Sequence, residues 1–271
     1  MYNGEFLFHY TSMDAFYGMI HNQELWLSET VNMSDKSEGR QFIYNLEQEI
    51  KKNCKLNDRL DCIVGKLKLL FADSMYAMCF TDQEEDAAQW ERYADNASGV
   101  CIRIKRETVE ELCKTGGFVF SKVLYERDVK KEKYYSILRE YVDNGVLKDF
   151  DKIEGYLSNL AIGTYCRKDY SFRNEREYRM LSISDKELCG CAEAVIEYEL
   201  INHCIKRIMK LNYKLLCEKS KMDYRNIFDA IIIGPRSQQN VDVLKDFLYM
   251  KGLETLSQNI SKSTCPLALF R

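Results

Sequence analysis

Two prolines, Pro235 and Pro266, are all the proline in a chain of 271 residues, and no Gly/Ser-rich or Pro-rich stretch interrupts it. Boundaries between domains fall in exposed linkers rich in such residues. A chain without them is expected to fold as a single domain over residues 1–271, with a charge-rich helical insertion at about 128–168. There is no internal repeat and no low-complexity block. Hydrophobic residues make up 46% and aromatic residues 12% of the sequence, enough to build a core.

No run approaches the roughly 20 apolar residues that a membrane helix needs. Met1 to Glu5 lacks the basic segment and apolar run of a secretion signal, so a cytoplasmic location is expected. Eleven cysteines are scattered, and Cys79 and Cys101 sit inside apolar runs, where a free thiol behaves as a small hydrophobe. No C-x-x-C occurs; Cys189 and Cys191 are the only close pair, and His9, His21 and His203 stand at no zinc-ligand spacing. No metal is expected. The formal charge of -3 argues against a protein that coats nucleic acid by bulk charge. The runs Lys130–Lys133 and Lys206–Lys210 remain candidates for a local basic groove.

The pattern predicts a strand over Glu5–Tyr10, a helix over Met13–Asn22 capped by Thr11 or Ser12, and a short strand over Glu24–Ser28. Residues 29–39 read as a loop, and helices follow over about 40–53 and 58–72. Strands are expected at Tyr76–Thr81, Gly99–Ile104, Gly117–Tyr125, Arg176–Ile183, Ala194–Tyr198 and Asp229–Gly234. Helices are expected over Asp86–Asp95, with Ala87, Trp90 and Ala94 on one side, and over Val241–Lys251. Such an order fits α+β, with mixed, strongly twisted sheets and flanking helices, better than a regular alternating parallel sheet.

Chemistry has a few natural places in this frame. On an extended strand Glu175, Glu177 and Arg179 share one face, and Arg176, Tyr178 and Met180 the other. Two carboxylates followed by a cation suit either a proton-transfer site or a solvated face with a weak salt bridge. His9, with Tyr10 and Thr11, ends a strand beside a helix amino terminus, where it can meet a ribose or phosphate, or simply close the strand. Asn32, Asp35 and Glu38 lie in the polar loop. Arg92 and Tyr93 follow the core residue Trp90 and can face a planar ligand. Gly234-Pro235-Arg236-Ser237 follows a buried strand and can form an anion-binding turn.

This series resembles the bacterial family known as domain of unknown function 2971. The resemblance rests on Phe8-His9-Tyr10-Thr11-Ser12, Asn32…Asp35…Glu38, Cys79-Phe80-Thr81, Trp90-Glu91-Arg92-Tyr93-Ala94…Gly99, Phe172…Glu175-Arg176-Glu177-Tyr178-Arg179 and Ile233-Gly234-Pro235-Arg236. The family tends to carry Asn-Asp-Pro where this chain has Asn32-Met33-Ser34-Asp35. A looser resemblance links His9, a later aromatic and Glu177 to the His–Tyr–Glu constellation of ADP-ribosyltransferases, including toxin members that modify DNA or RNA. It implies an ADP-ribosyltransferase-like fold and an enzyme using NAD as substrate. Glu177 would grip the ribose as oxocarbenium character develops, and Glu175 would activate the acceptor. His9, Tyr10 and Thr11 would hold the adenosine-side ribose, Tyr93 or Tyr76 would stack on nicotinamide, and Arg92, Arg179 or Arg236 would meet the pyrophosphate. The acceptor would be nucleic acid or protein, in a toxin or antiphage effector with an antitoxin partner and no membrane association. This reading requires His9 and Glu177 to converge on one cleft.

Two other classes fit the residues. One is a non-catalytic module that binds a nucleotide or a partner. The other is a Mg²⁺-dependent nuclease or hydrolase built on Asp35, Glu38, Glu175 and Glu177.

Overall fold

The structure, a computed structural model, describes residues 5–30, 75–126, 163, 165–183, 194–201 and 203–267. The expected loop over 29–39, save its first two residues, the helices over 40–53 and 58–72, and Lys130–Lys133 lie outside these residues. So does nearly all of the expected insertion at 128–168; at its end Arg167 and Lys168 open a short strand. Contacts group the chain into two compact units. One comprises Met1–Thr30, Tyr76–Lys122 and Glu175–Arg271; the other comprises Val31–Met75 and Val123–Asn174.

The first unit is built on a ten-stranded mixed sheet, and the fold class is α+β. Its strands are β1 (Phe6–Thr11), β2 (Glu24–Glu29), β3 (Met75–Thr81), β4 (Val100–Lys105), β5 (Val119–Lys122), β8 (Glu177–Ile183), β9 (Ala194–Ile201), β10 (Cys204–Asn212), β11 (Ala230–Ile233) and β12 (Ile260–Lys262). The main order is β12-β11-β4-β1-β3-β2-β10-β9, and β8 pairs with both β3 and β5. In the second unit β6 (Leu124–Glu126) and β7 (Arg167–Asp169) form a parallel pair. The run expected as one strand over Gly117–Tyr125 is therefore two.

Helix α1 (Met13–Asn22) falls where the sequence places it. Ser12 caps it by accepting from the Ala15 amide at 3.2 Å, and Gln23 closes it in the left-handed region. Helix α2 (Ala87–Tyr93) is capped by Asp86, whose Oδ1 accepts from the Gln89 amide at 2.8 Å. Helices α3 (Arg106–Gly116), α4 (Tyr213–Ser220), α5 (Val241–Met250) and α6 (Glu254–Gln258) complete the described set.

Strand alternation sorts the side chains onto two faces of the sheet. On the first, Leu7, Met78, Phe80, Ile102, Ile104, Tyr178 and Met180 join one large core with α1, α3 and α4. On the second, Phe8, Tyr10, Cys101 and Ile232 pack with Trp90 and Ala94 of the α2 segment. Trp90 is fully buried and meets Tyr10 edge-on, with ring centroids 4.8 Å apart. Burying a large apolar side chain of this kind is worth about 1.5–3 kcal/mol, so both faces hold the sheet.

Candidate functional site

The site grows from the junction between a short turn and strand β8. Tyr170–Glu175 is a 3-10 turn, Arg176 follows with φ 45°, and the strand begins only at Glu177. This corrects the strand expected from Arg176, and Glu175 does not reach its position by simple alternation. It is held instead by its carbonyl, which accepts from Thr81 Oγ1 at 2.8 Å and from the Gln89 side-chain amide at 3.3 Å. Thr81 ends β3 and Gln89 lies on α2, so two elements fix one backbone oxygen.

The same helix then closes on the Glu175 side chain. Arg92 and Tyr93 stand three and four residues after Gln89, on one helical face. Tyr93 donates its hydroxyl to Glu175 Oε1 at 2.8 Å, and Arg92 Nη1 donates to the same oxygen at 3.1 Å. Glu175 is buried, whereas the Arg92 side chain is 54% exposed. One nitrogen of that guanidinium is anchored, on a side chain that is otherwise half exposed.

Next along the chain, Glu177 and Arg179 form a bidentate pair. Arg179 Nε donates to Glu177 Oε1 at 2.7 Å and Nη2 to Oε2 at 2.9 Å. Both are buried, Arg179 completely. A planar guanidinium matches a carboxylate in this fork geometry, which is why the pair tolerates burial. Arg179 therefore stands away from solvent, on Glu177.

Arg176 points outward, its side chain 62% exposed, with Nη1 3.7 Å from Asp82 Oδ1. That separation is an ion pair but too long for a hydrogen bond. Asp82 Oδ1 is the one buried side-chain polar atom among the described residues that lacks a hydrogen-bond partner. Asp82 and Gln89 carried no signal in the sequence beyond polarity at element ends, and Thr81 carried one only within the Cys79-Phe80-Thr81 motif.

The remaining expected site residues are placed elsewhere. His9 Nδ1 lies 2.7 Å from the Cys79 carbonyl and its ring lies 5.8 Å from Phe80. A carbonyl only accepts, so Nδ1 carries the proton and Nε2 is the acceptor. Burial lowers the His9 pKa below its ordinary value, against the opposing pull of the Cys79 carbonyl. The pairing of Phe8 with Thr81 sets His9 opposite Phe80, on the first face of the sheet. Phe80 and Met180 line one small internal void, so Tyr178 and Met180 share that face, and Glu177 and Arg179 point to the other. His9 and Glu177 thus lie on opposite faces. Tyr76, fully buried in the first-face core, is likewise apart from Glu177.

Tyr10 is on the second face, but its hydroxyl donates to the Gln83 carbonyl at 3.0 Å and to that of Glu84. Burial pushes its pKa well above the ordinary phenol value, and Cys101 adds to the rise. Thr11 is buried where β1 ends. Arg236 is bound to the Asn96 carbonyl at 3.1 Å and to Glu91 at 3.2 Å, its side chain 10% exposed. The expected anion-binding turn is thus packed against the loop after α2. Asp35 and Glu38 lie outside the described residues. Among the described residues no three His, Cys, Asp or Glu side chains are grouped to hold a metal ion.

Convergence on the second face therefore gathers Glu175, Glu177, Arg179, Arg92 and Tyr93, with Arg176 and Asp82 beside them. The stretch from residue 89 to residue 180 contains all of these but Asp82, and it matches a family model. That model is DUF2971, described as a protein of unknown function. The DUF2971 match bears out the family resemblance carried by Trp90…Gly99 and by Glu175…Arg179. It begins at Gln89, whose side chain holds the Glu175 carbonyl, and ends at Met180. His9, Tyr10, Thr11 and Arg236 lie outside the matched residues. No curated protein and no solved structure matches the chain.

Proposed function

We propose that the chain is a binding module for a phosphate-bearing ligand of the nucleotide type, read through Arg92 and Arg176. The observation that carries this is the Arg92–Glu175 contact. A buried carboxylate fixes one nitrogen of a guanidinium on a side chain that is 54% exposed. Orientation supplied by the protein reduces the ordering cost of binding, and a fixed arginine suits a phosphate. Arg176 brings a second exposed guanidinium, adjacent in the chain to the carboxylate that holds the first.

The ADP-ribosyltransferase reading shares this ligand chemistry, because NAD carries a pyrophosphate and two riboses. The contact of Tyr93 and Arg92 with Glu175 favours it. The placement of His9 on the other face of the sheet weighs against it, and both oxygens of Glu177 are already engaged by Arg179. The Mg²⁺ reading has less support, since Glu175 and Glu177 each hold an arginine.

Calorimetric titration of ADP tests the proposal. Arg92→Gln is expected to weaken binding about tenfold, the scale of one charge-assisted hydrogen bond. Arg176→Gln should act in the same direction. Equal ADP affinity in wild type and both variants would overturn the reading.

A further inference from the structure

We propose that β9 is a docking edge for an extended segment of another protein, one that alternates apolar and basic side chains. Three independent features point there. The sheet order ends at β9, and among the described residues no strand pairs with its outer edge. The strand is eight residues long, with no proline. An exposed edge of that length is a template for strand addition unless it is blunted by proline, a bulge or a covering element.

The second feature is an exposed apolar face. β9 and β10 pair antiparallel, with Leu200 opposite Ile205 and Tyr198 opposite Arg207. Nearer the core, on the same face, Ile196 packs against the large cluster and Met209 is part of it. Toward the tip of the hairpin Tyr198, Leu200 and Ile205 are 67%, 66% and 77% exposed, while Ile201 and Ile208 on the other face belong to the core cluster. Apolar side chains this exposed on one face of a terminal hairpin mark an interaction surface.

Charge on the opposite face selects the occupant. There Lys210 is buried and held by three carboxylates: Glu197 at 2.7 Å, Glu24 at 3.9 Å and Glu199. Burial alone would lower the lysine pKa, but Glu197, Glu199 and Glu24 outweigh it and raise the value, so the ammonium is retained. Lys206 stands opposite Glu199 in register. Three carboxylates therefore face two ammonium groups, and Glu197, 52% exposed, lies on the outermost strand. An incoming strand would place apolar side chains beside Tyr198 and Leu200 and lysine or arginine beside Glu197 and Glu199.

The test uses the full chain and two fluorescein-labelled heptapeptides. One alternates lysine with valine, and the other has glutamate in place of lysine. Fluorescence anisotropy should show saturable binding of the lysine peptide and none of the glutamate peptide at the same concentrations. Leu200→Asp and Ile205→Asp should each weaken binding about tenfold, and Glu197→Gln several-fold. Val243→Asp, at an exposed position on α5, should leave it unchanged. Equal binding of the two peptides, or binding of neither, would overturn the proposal. So would light scattering that shows a wild-type dimer dissociated by Leu200→Asp, because the occupant would then be a second copy.

Discussion

Replacing Glu177 removes the carboxylate that Arg179 grips through two hydrogen bonds in a fully buried position. Breaking a buried pair from one side costs about 3–5 kcal/mol, because the surviving charge stays desolvated, whereas replacing both partners by uncharged groups costs much less. Glu177→Gln and Arg179→Met should each lower the urea midpoint sharply, and the double variant should recover much of the loss. Single effects within about 1 kcal/mol that simply add would contradict a structural pair. His9 gives a second residue-scale expectation. Its folded pKa lies below the ordinary 6.5, so the unfolded chain binds the proton more readily. The stability due to neutral His9 is present above pH 6.5 and is lost as pH falls below it. His9→Gln should flatten that part of the profile, measured as Tm between pH 7.5 and 5; an unchanged slope would show that His9 is not desolvated. At this scale the sequence marked Glu175, Glu177, Arg179, Arg92 and Tyr93 by type and spacing. It could not show that Arg179 closes on Glu177, since a buried fork and a solvated pair are spelled alike.

Elements were legible wherever periodicity and caps agreed. Helix α1 and strands β1, β3, β4 and β11 fall within a residue or so of their expected positions, because an N-cap or an apolar run fixes each. Strand β10 was missed: Lys206–Lys210 reads as a basic run, yet Ile208, Met209 and Lys210 are buried in the sheet. Lysine hidden among cross-strand glutamates cannot be recognised without knowing the strand partners. The break before β8 was also hidden, since Arg176 gives no hint of a positive φ. The loop after α2 yields a prediction of its own. A Cβ on Gly234 would stand 2.3 Å from the Ala97 carbonyl oxygen, and one on Gly99 2.2 Å from that of Thr11. Both obstacles are backbone, so Gly234→Ala should destabilise by about 2 kcal/mol or more. A wild-type Tm in that variant would show that the two backbones are not in contact.

At the scale of the whole molecule, the sheet separates what the sequence grouped. Its first face carries the main core and His9; its second carries α2 and the carboxylate–arginine network, most of which lies in the DUF2971 match. Among the described residues no helix is long and apolar enough to cross a membrane. The order of motifs along the chain made His9 and Glu177 look like one constellation, because sequence order does not record which face of a strand a residue occupies. Glu175 and Glu177 each hold an arginine. The most direct measurement mixes wild-type protein with NAD and follows binding and free nicotinamide together. Saturable binding weakened by Arg92→Gln is expected, with no nicotinamide released. Release of nicotinamide by wild type, abolished in a Glu177→Gln variant that remains folded, would contradict the proposed binding role.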